Sequence, residues 1–239
     1  MNTKGNTIFI TGGSAGIGLA MAKQFSEAGN KVIINGRDAA RLDKALAQLP
    51  GAAAIQGDLS LATDRVRIAQ QLAAEHPDLN MIVNNAGAAF AYSLGEAAGA
   101  YQKASQEMAT NYLGIVHFTE LLLPHLLQKN NAAVVNVTSI AALRSNQYIP
   151  TYSASKAALH SYTQVLRDTY ANSNLQVYEV YPPLVNTDFS QAIGGANGIA
   201  PSEVADELLL ALEQNRFEVP VGKTKQLQQL VEEAMSKFN

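Results

Sequence analysis

Thr7-Ile-Phe-Ile10 runs without a break into Thr11-Gly-Gly-Ser-Ala-Gly-Ile-Gly18, and this stretch decides the fold. The short apolar run reads as a buried strand, and the apolar spacing from Ile17 to about residue 28 reads as a helix. A glycine-rich turn between strand and helix lets backbone N–H groups approach a pyrophosphate at the positive end of the helix. The spacing is T-G-x-x-x-G-x-G, which makes Gly12, Ser14, Gly16, Ile17 and Gly18 the residues of a dinucleotide cradle. Glycine-rich turns also arise for purely structural reasons. The same residues spell G-x-S-x-G, a nucleophile elbow with Ser14 at its tip. A hydrolase of that kind needs an acid and then a histidine on a late loop. The last histidine, His160, falls inside an expected helix, so the serine hydrolase is the remote alternative.

Outward from this turn, strands alternate with helices to the end of the chain. Residues 31–35 form a second strand, closed by Gly36-Arg37-Asp38. A dinucleotide protein reads the adenosine ribose at this point, about twenty residues past the glycines. A carboxylate there would bind a free 2′-hydroxyl, whereas the Arg37 guanidinium can pair with a 2′-phosphate. Asp38 reads as the N-cap of a helix over 39–49, so NADP is expected ahead of NAD. Residues 52–56 form a third strand ending in Gly57-Asp58-Leu59, where Asp58 can meet an adenine amino group. A helix over 61–75 leads to a fourth strand over 81–84 and then to Asn84-Asn85-Ala86-Gly87, which can pin neighbouring strands and let a ribose come close.

Residues 88–99 read as a mobile rim. A long helix is expected over 101–128, with Asn111 inside it as a polar kink and an apolar face suited to a subunit contact. The fifth strand, over 133–137, ends in Thr138-Ser139 on the face where open α/β sheets bind ligands. Asn136 begins a glycosylation sequon, discarded because it lies in a core strand. A sixth strand over 175–180 feeds Tyr181-Pro182-Pro183-Leu184-Val185-Asn186-Thr187, where Thr187 can face a carboxamide. The glycine-rich segment within 188–200 reads as a substrate lid. A helix over 201–214, a last strand over 217–221 and a helix over 223–238 complete the chain. The pattern is one α/β domain over residues 1–239, with a doubly wound, mostly parallel sheet of about seven strands.

Tyr152 and Lys156 stand four apart, on one face of an expected helix. A free phenol titrates at about 10, and lowering it by about 3 units takes roughly 4 kcal/mol of differential interaction. A neighbouring ammonium and a cationic nicotinamide ring are expected to supply it, making Tyr152 an acid–base group at neutral pH.

The chain has 239 residues, is 47% hydrophobic, and carries a formal charge of −3, which argues against a nucleic-acid partner drawn by charge. It has no cysteine and four scattered histidines, so neither a disulfide framework nor a metal site is expected. The strand-like start leaves no room for a signal peptide. The apolar run over 113–127 is broken by His117, Glu120, Pro124 and His125, which rules out a membrane span. A cytoplasmic protein is expected.

Taken together, Thr11-Gly-x-x-x-Gly-x-Gly18, Asn84-Asn-Ala-Gly87, Asn111, Ser139 and Tyr152-x-x-x-Lys156 resemble the compact branch of the short-chain dehydrogenase/reductase family over the whole chain. The resemblance implies a Rossmann fold with strand order 3-2-1-4-5-6-7 and hydride transfer between a nicotinamide and a carbonyl or secondary alcohol. It implies Tyr152 as general acid or base, Ser139 as the grip on the substrate oxygen, and Lys156 as the lysine that tunes the phenol and holds the nicotinamide ribose. Asn111 would hold a water relaying protons from Lys156. Coenzyme contacts are implied for Gly12, Ser14, Gly16, Ile17, Gly18, Arg37, Asp58, Leu59, Asn85, Ala86, Gly87, Tyr152, Lys156, Pro182, Val185 and Thr187. Pro183 departs from the family's usual glycine, and no basic residue sits inside the glycine turn. A homodimer or homotetramer acting on a small-molecule substrate is implied. The opening stretch from Gly5 to Gly18 and the Pro182-Pro-Leu-Val-Asn-Thr187 stretch look more particularly like bacterial oxidoreductases associated with D-alanyl-lipoteichoic-acid operons. An NADP-binding regulator without turnover is the second reading, although such proteins commonly lack the tyrosine or lysine present here.

Overall fold

The computed structural model describes residues 1–235, so the last part of the expected C-terminal helix, to Phe238, lies outside the described residues. Seven strands form a single parallel sheet in the order β3-β2-β1-β4-β5-β6-β7, as expected. They are β1 (Thr7–Ile10), β2 (Lys31–Gly36), β3 (Ala53–Gln56), β4 (Leu79–Asn84), β5 (Ala132–Val137), β6 (Leu175–Tyr181) and β7 (Glu218–Pro220). The helices are α1 (Gly16–Glu27), α2 (Ala39–Leu46), α3 (Ala62–Glu75), α4 (Ala100–Met108), α5 (Gly114–Leu126), α6 (Ile140–Leu143), α7 (Pro150–Thr169), α8 (Pro201–Gln214) and α9 (Thr224–Met235).

A parallel sheet covered on both faces needs strands that are apolar on both sides. β1 and β5 are buried along their whole length. Successive residues serve opposite layers: Ile8 and Ile10 pack with α1, α2 and α8 residues such as Met21, Leu42 and Leu208. Phe9 faces the other layer, with Ile68, Phe118 and Leu166 from α3, α5 and α7. This arrangement fixes every strand's C-terminal end at one rim, where the loops carrying the motifs emerge.

Local sequence sets the helix ends. Asp38 caps α2 by accepting from the Arg41 N–H at 3.0 Å, the capping role read for it. Pro201 starts α8, and Asn215, in the left-handed region at φ 52°, ends it. The expected helix over 101–128 is not uniform. α4 and α5 are joined by a π-helical turn, Ala109–Leu113, centred on Asn111. The expected 188–200 lid contains two 3₁₀ turns, Asp188–Ile193 and Gly195–Asn197, and a parallel bridge joins Val185 to Ile199. α6, directly after Ser139, was not anticipated, because four residues carry too little periodicity to read.

Candidate active site

The glycine turn has the shape of a cradle. Gly12 has φ 63°, and a Cβ on it would stand 3.1 Å from both the Ala86 Cα and the Asn85 Nδ2. A Cβ on Gly18 would meet the Gly12 carbonyl oxygen at 2.3 Å, so α1 begins too close to the turn for any side chain. Thr11 stitches this turn to the one after β4: its Oγ1 accepts from the Asn85 and Ala86 N–H groups, both at 2.9 Å. The Asn85 Nδ2 returns a bond to the Thr11 carbonyl at 2.9 Å. Ala15, the N-cap of α1, offers no side chain to the first-turn N–H groups, which leaves the positive end of the helix for an anion. These features fit a dinucleotide pyrophosphate.

Beside the cradle runs a cleft of about 2060 Å³. It brings together Gly12, Gly16, Ile17, Arg37, Asn85, Ala86, Gly87, Ser139, Tyr152, Lys156, Pro182, Val185 and Thr187, all singled out from sequence. Five expected residues do not line it. Ser14 tucks its hydroxyl against Gly36 at the end of β2. Gly18 lies beneath the turn. Asp58 lines an adjoining depression with Arg37, and its carboxylate accepts from the Ser60 N–H. Leu59 packs into the core under α3 and α5. Asn111 is fully buried behind the β4 turn. Arg41, on α2, lines the cleft with Arg37 and was missed, because nothing but the fold carries it there.

At the reactive end, Ser139 leaves β5 and caps α6, its Oγ accepting from the Ala141 N–H at 3.1 Å. Tyr152 is 8% exposed, its ring 6.1 Å from that of Phe189. The Lys156 Nζ lies 5.8 Å from the centre of the Tyr152 ring and donates to the Val137 carbonyl at 2.8 Å. The π turn aims Asn111 at the same place. Its Oδ1 accepts from the Ala88 N–H and its Nδ2 donates to the Ala88 carbonyl, both at 2.8 Å, and to the Ser155 Oγ at 2.9 Å. A Cβ on Gly87 would come within 3.3 Å of the Asn111 Oδ1 and 3.9 Å of the Lys156 Nζ, so the glycine keeps this corner open. Pro183, the departure from the family pattern, leaves the exit of β6 tied down, since the Pro182 carbonyl accepts from the Ile140 N–H at 2.9 Å.

For Tyr152, burial sets the electrostatics before any nicotinamide ring is bound. In the protein by itself its phenol is pushed up to about 12, not down: burial dominates, a hydrogen bond with Ser139 opposes it, and the Glu107 carboxylate adds to it. Burial also drives Lys156 down to about 8, against an opposing pull from Glu179. The ammonium bonds a carbonyl rather than the phenol, so it does not outweigh desolvation of the phenolate. At neutral pH the pair is therefore a protonated phenol beside a largely charged lysine. Two buried acids near the pair, Glu107 on α4 and Glu179 on β6, were not found from sequence.

Ser14 has no histidine to activate it. His117 accepts from Arg65, His125 bonds the Leu79 carbonyl, His160 bonds Glu179, and His76 ends α3. Among the described residues there is no cluster of metal-ligating side chains, and no helix is long and apolar enough to cross a membrane.

The short chain dehydrogenase family model matches residues 6–198. The uncharacterized oxidoreductase DltE of Bacillus subtilis (strain 168) is 37% identical over 207 residues, 87% of this chain and 82% of its own, in line with the operon neighbourhood read from the motifs. A short chain dehydrogenase from Burkholderia cenocepacia J2315, solved in complex with NADP, superposes with a TM-score of 0.84 at 27% identity, over 97% of this chain and 93% of its own. A Burkholderia phymatum relative solved with NAD gives the same TM-score at 21% identity, over 92% and 90% of the two chains, and speaks to the fold alone. With the seven-stranded sheet, the glycine cradle and the Ser–Tyr–Lys cluster already in place, the chain belongs to the short-chain dehydrogenase family of oxidoreductases.

Proposed function

We propose that this protein is an NADP(H)-dependent oxidoreductase that interconverts a small-molecule carbonyl and the corresponding secondary alcohol. The observation that carries the reading is the meeting of Ser139, Tyr152 and Lys156 on one wall of the cleft that the glycine cradle opens into. When bound, the nicotinamide supplies or accepts the hydride. The chain's own residues do the rest. The hydroxyls of Ser139 and Tyr152 grip the substrate oxygen, and in reduction Tyr152 hands it a proton, for which the protonated resting phenol is ready. Lys156 then favours the phenolate left behind and orients the nicotinamide ribose. Asn111 holds the Ala88 backbone and Ser155 in place around Lys156, a frame in which a relay water can sit.

NADP is favoured over NAD because Gly36 and Arg37 end β2 where an NAD protein would hold an acid, and Arg41 adds a second guanidinium to the same cleft. Asp58 and Leu59 belong to the adenine end of this reading, and Ser14 to the phosphate end. Residues 188–200 would act as the lid, with Phe189 over Tyr152. The exposed Leu113 in the π turn, Leu127 just after α5 and Val165 on α7 support a homodimer or homotetramer, and we propose that it acts in the cytoplasm. The test is to titrate NADPH and NADH by fluorescence, then to screen carbonyl substrates with wild type and Tyr152→Phe. NADPH binding with reduction abolished in the variant is expected. NADPH binding without turnover on a broad panel would favour a regulator, and no binding of either coenzyme would sink the reading.

A further inference from the structure

Glu179 lies within β6 and is fully buried, an expensive place for a carboxylate without partners. Its cationic neighbours come from α7, where Lys156, His160 and Arg167 recur along one helical face, and Tyr181 of β6 adds a hydrogen bond from its hydroxyl. The His160 Nδ1 stands 3.0 and 3.2 Å from the two carboxylate oxygens, and the Arg167 Nη2 stands 3.9 Å from one of them. Arg167 is divided, because its Nη1 also pairs with Glu218 of β7 at 3.1 Å. Tyr181, next on this face of β6, places its hydroxyl 3.5 Å from the His160 Nδ1. From β5 the facing residue is neutral: Asn136 is the register partner of Glu179, and its amide is committed to Thr163. Arg167 thus serves two acids, and His160 is charged only when protonated. The remaining cation on this face is Lys156, whose ammonium reaches the carbonyl of Val137, the residue after that register partner.

We propose that Glu179 is a positioning residue of the candidate site, the buried counter-ion that keeps Lys156 an ammonium and that Lys156 shares with His160. This rests on the reading of Lys156 as the lysine that supports Tyr152. The attraction between Glu179 and Lys156 opposes the burial that would strip the lysine of its proton. The same carboxylate raises the proton affinity of His160.

The test is an NMR titration of ¹³C-labelled lysine and histidine in the coenzyme-free protein, with the Lys156 and His160 signals assigned through Lys156→Met and His160→Gln. Glu179→Gln is expected to weaken proton binding at Lys156 about tenfold and to weaken it at His160 as well. Glu179→Asp, which keeps the charge, is expected to retain the Lys156 midpoint. An unchanged Lys156 in Glu179→Gln, or an equal fall in both variants, would overturn the proposal by showing that packing and not charge matters. Should the variants fail to fold, wild type still decides, because a Lys156 that is already neutral at pH 7 would mean that the buried carboxylate does not keep it an ammonium. No coenzyme or substrate enters this measurement, so failure to turn over would sink the oxidoreductase reading and with it the part Glu179 plays in the site, while the charge coupling of Glu179 to Lys156 is read separately.

Discussion

Replacing Arg37 with alanine removes a guanidinium whose side chain is 78% exposed and whose partner Asp58 stands 3.6 Å away. An exposed pair of this geometry contributes about 0–1 kcal/mol to stability, so the melting temperature should move by no more than about 2–4 °C. Coenzyme affinity should respond far more. A charge-assisted hydrogen bond to a phosphate is worth about 1.5–3 kcal/mol, which is roughly 10- to 100-fold in Kd. Solvent exposure favours the lower end of that range. The loss also leaves Asp58 without its counter-charge beside the incoming phosphate, which acts in the same direction. Fluorescence titration should show weaker NADPH binding, unchanged NADH binding, and a further NADPH loss in the Arg37→Ala/Arg41→Ala double variant. Raising the salt concentration should weaken NADPH binding to wild type more than to the double variant. Equal losses for both coenzymes would refute the reasoning, and so would a wild type that prefers NADH.

Three further outcomes are expected. Asn136 accepts from the Asn84 Nδ2 at 2.8 Å and donates to the Thr163 Oγ1 at 2.9 Å, all in the core; Asn136→Ala should cost about 2–4 kcal/mol in urea unfolding, and a loss below about 1 kcal/mol would show that the network relaxes. Burial pushes the Glu207 carboxyl up, but its bonds to Lys225 at 2.7 Å and Arg216 at 2.6 Å outweigh that and hold it below its usual value. A lowered carboxyl stabilises above its unfolded value and loses that contribution as pH falls through the folded one. Glu207→Gln should therefore be less stable by about 1 kcal/mol at pH 7, with the gap to wild type closing in acid; a gap that persists there would point to packing. Because Lys156 sits at about 8, carbonyl reduction should fall as pH rises through that value, and a rate that is flat to pH 10 would mean that the ammonium is not needed.

What could be read in the sequence was what local pattern carries. Strand–helix alternation and the strand-ending motifs at Gly12, Asn85 and Ser139 led to the sheet and to one rim, because a doubly wound sheet leaves few places for such turns to go. Asn111 was legible as a polar interruption of a helix. Its form, a π turn held by both backbone groups of Ala88, was not, since that depends on a loop far along the chain. Asp38 was legible because a cap is made within three residues. Arg41 and Glu179 were not, because each is ordinary in its own segment and acquires its role from a neighbour that only the fold supplies. The same holds for His160, whose helical setting was read correctly while its acid partner on β6 was not.

The expected lowering of the Tyr152 phenol relies on a cationic nicotinamide ring as well as on Lys156, and in the protein by itself burial holds the phenol up. The phenolate and the ammonium both lose solvation in this wall, so desolvation alone favours a neutral phenol beside a neutral amine. Two buried acids then bias that pair in opposite senses. Glu107, its Oε1 held by the Phe90 N–H at 2.8 Å, opposes charge on the phenol, whereas Glu179 supports charge on the lysine. The combination leaves the proton on Tyr152 and the ammonium on Lys156 before anything binds. On the function proposed above, a site so loaded would need no external proton at the moment of reduction, whereas alcohol oxidation would first have to strip the phenol. Wild type should therefore reduce a carbonyl readily at neutral pH, while its rate of oxidation of the product alcohol climbs as pH rises.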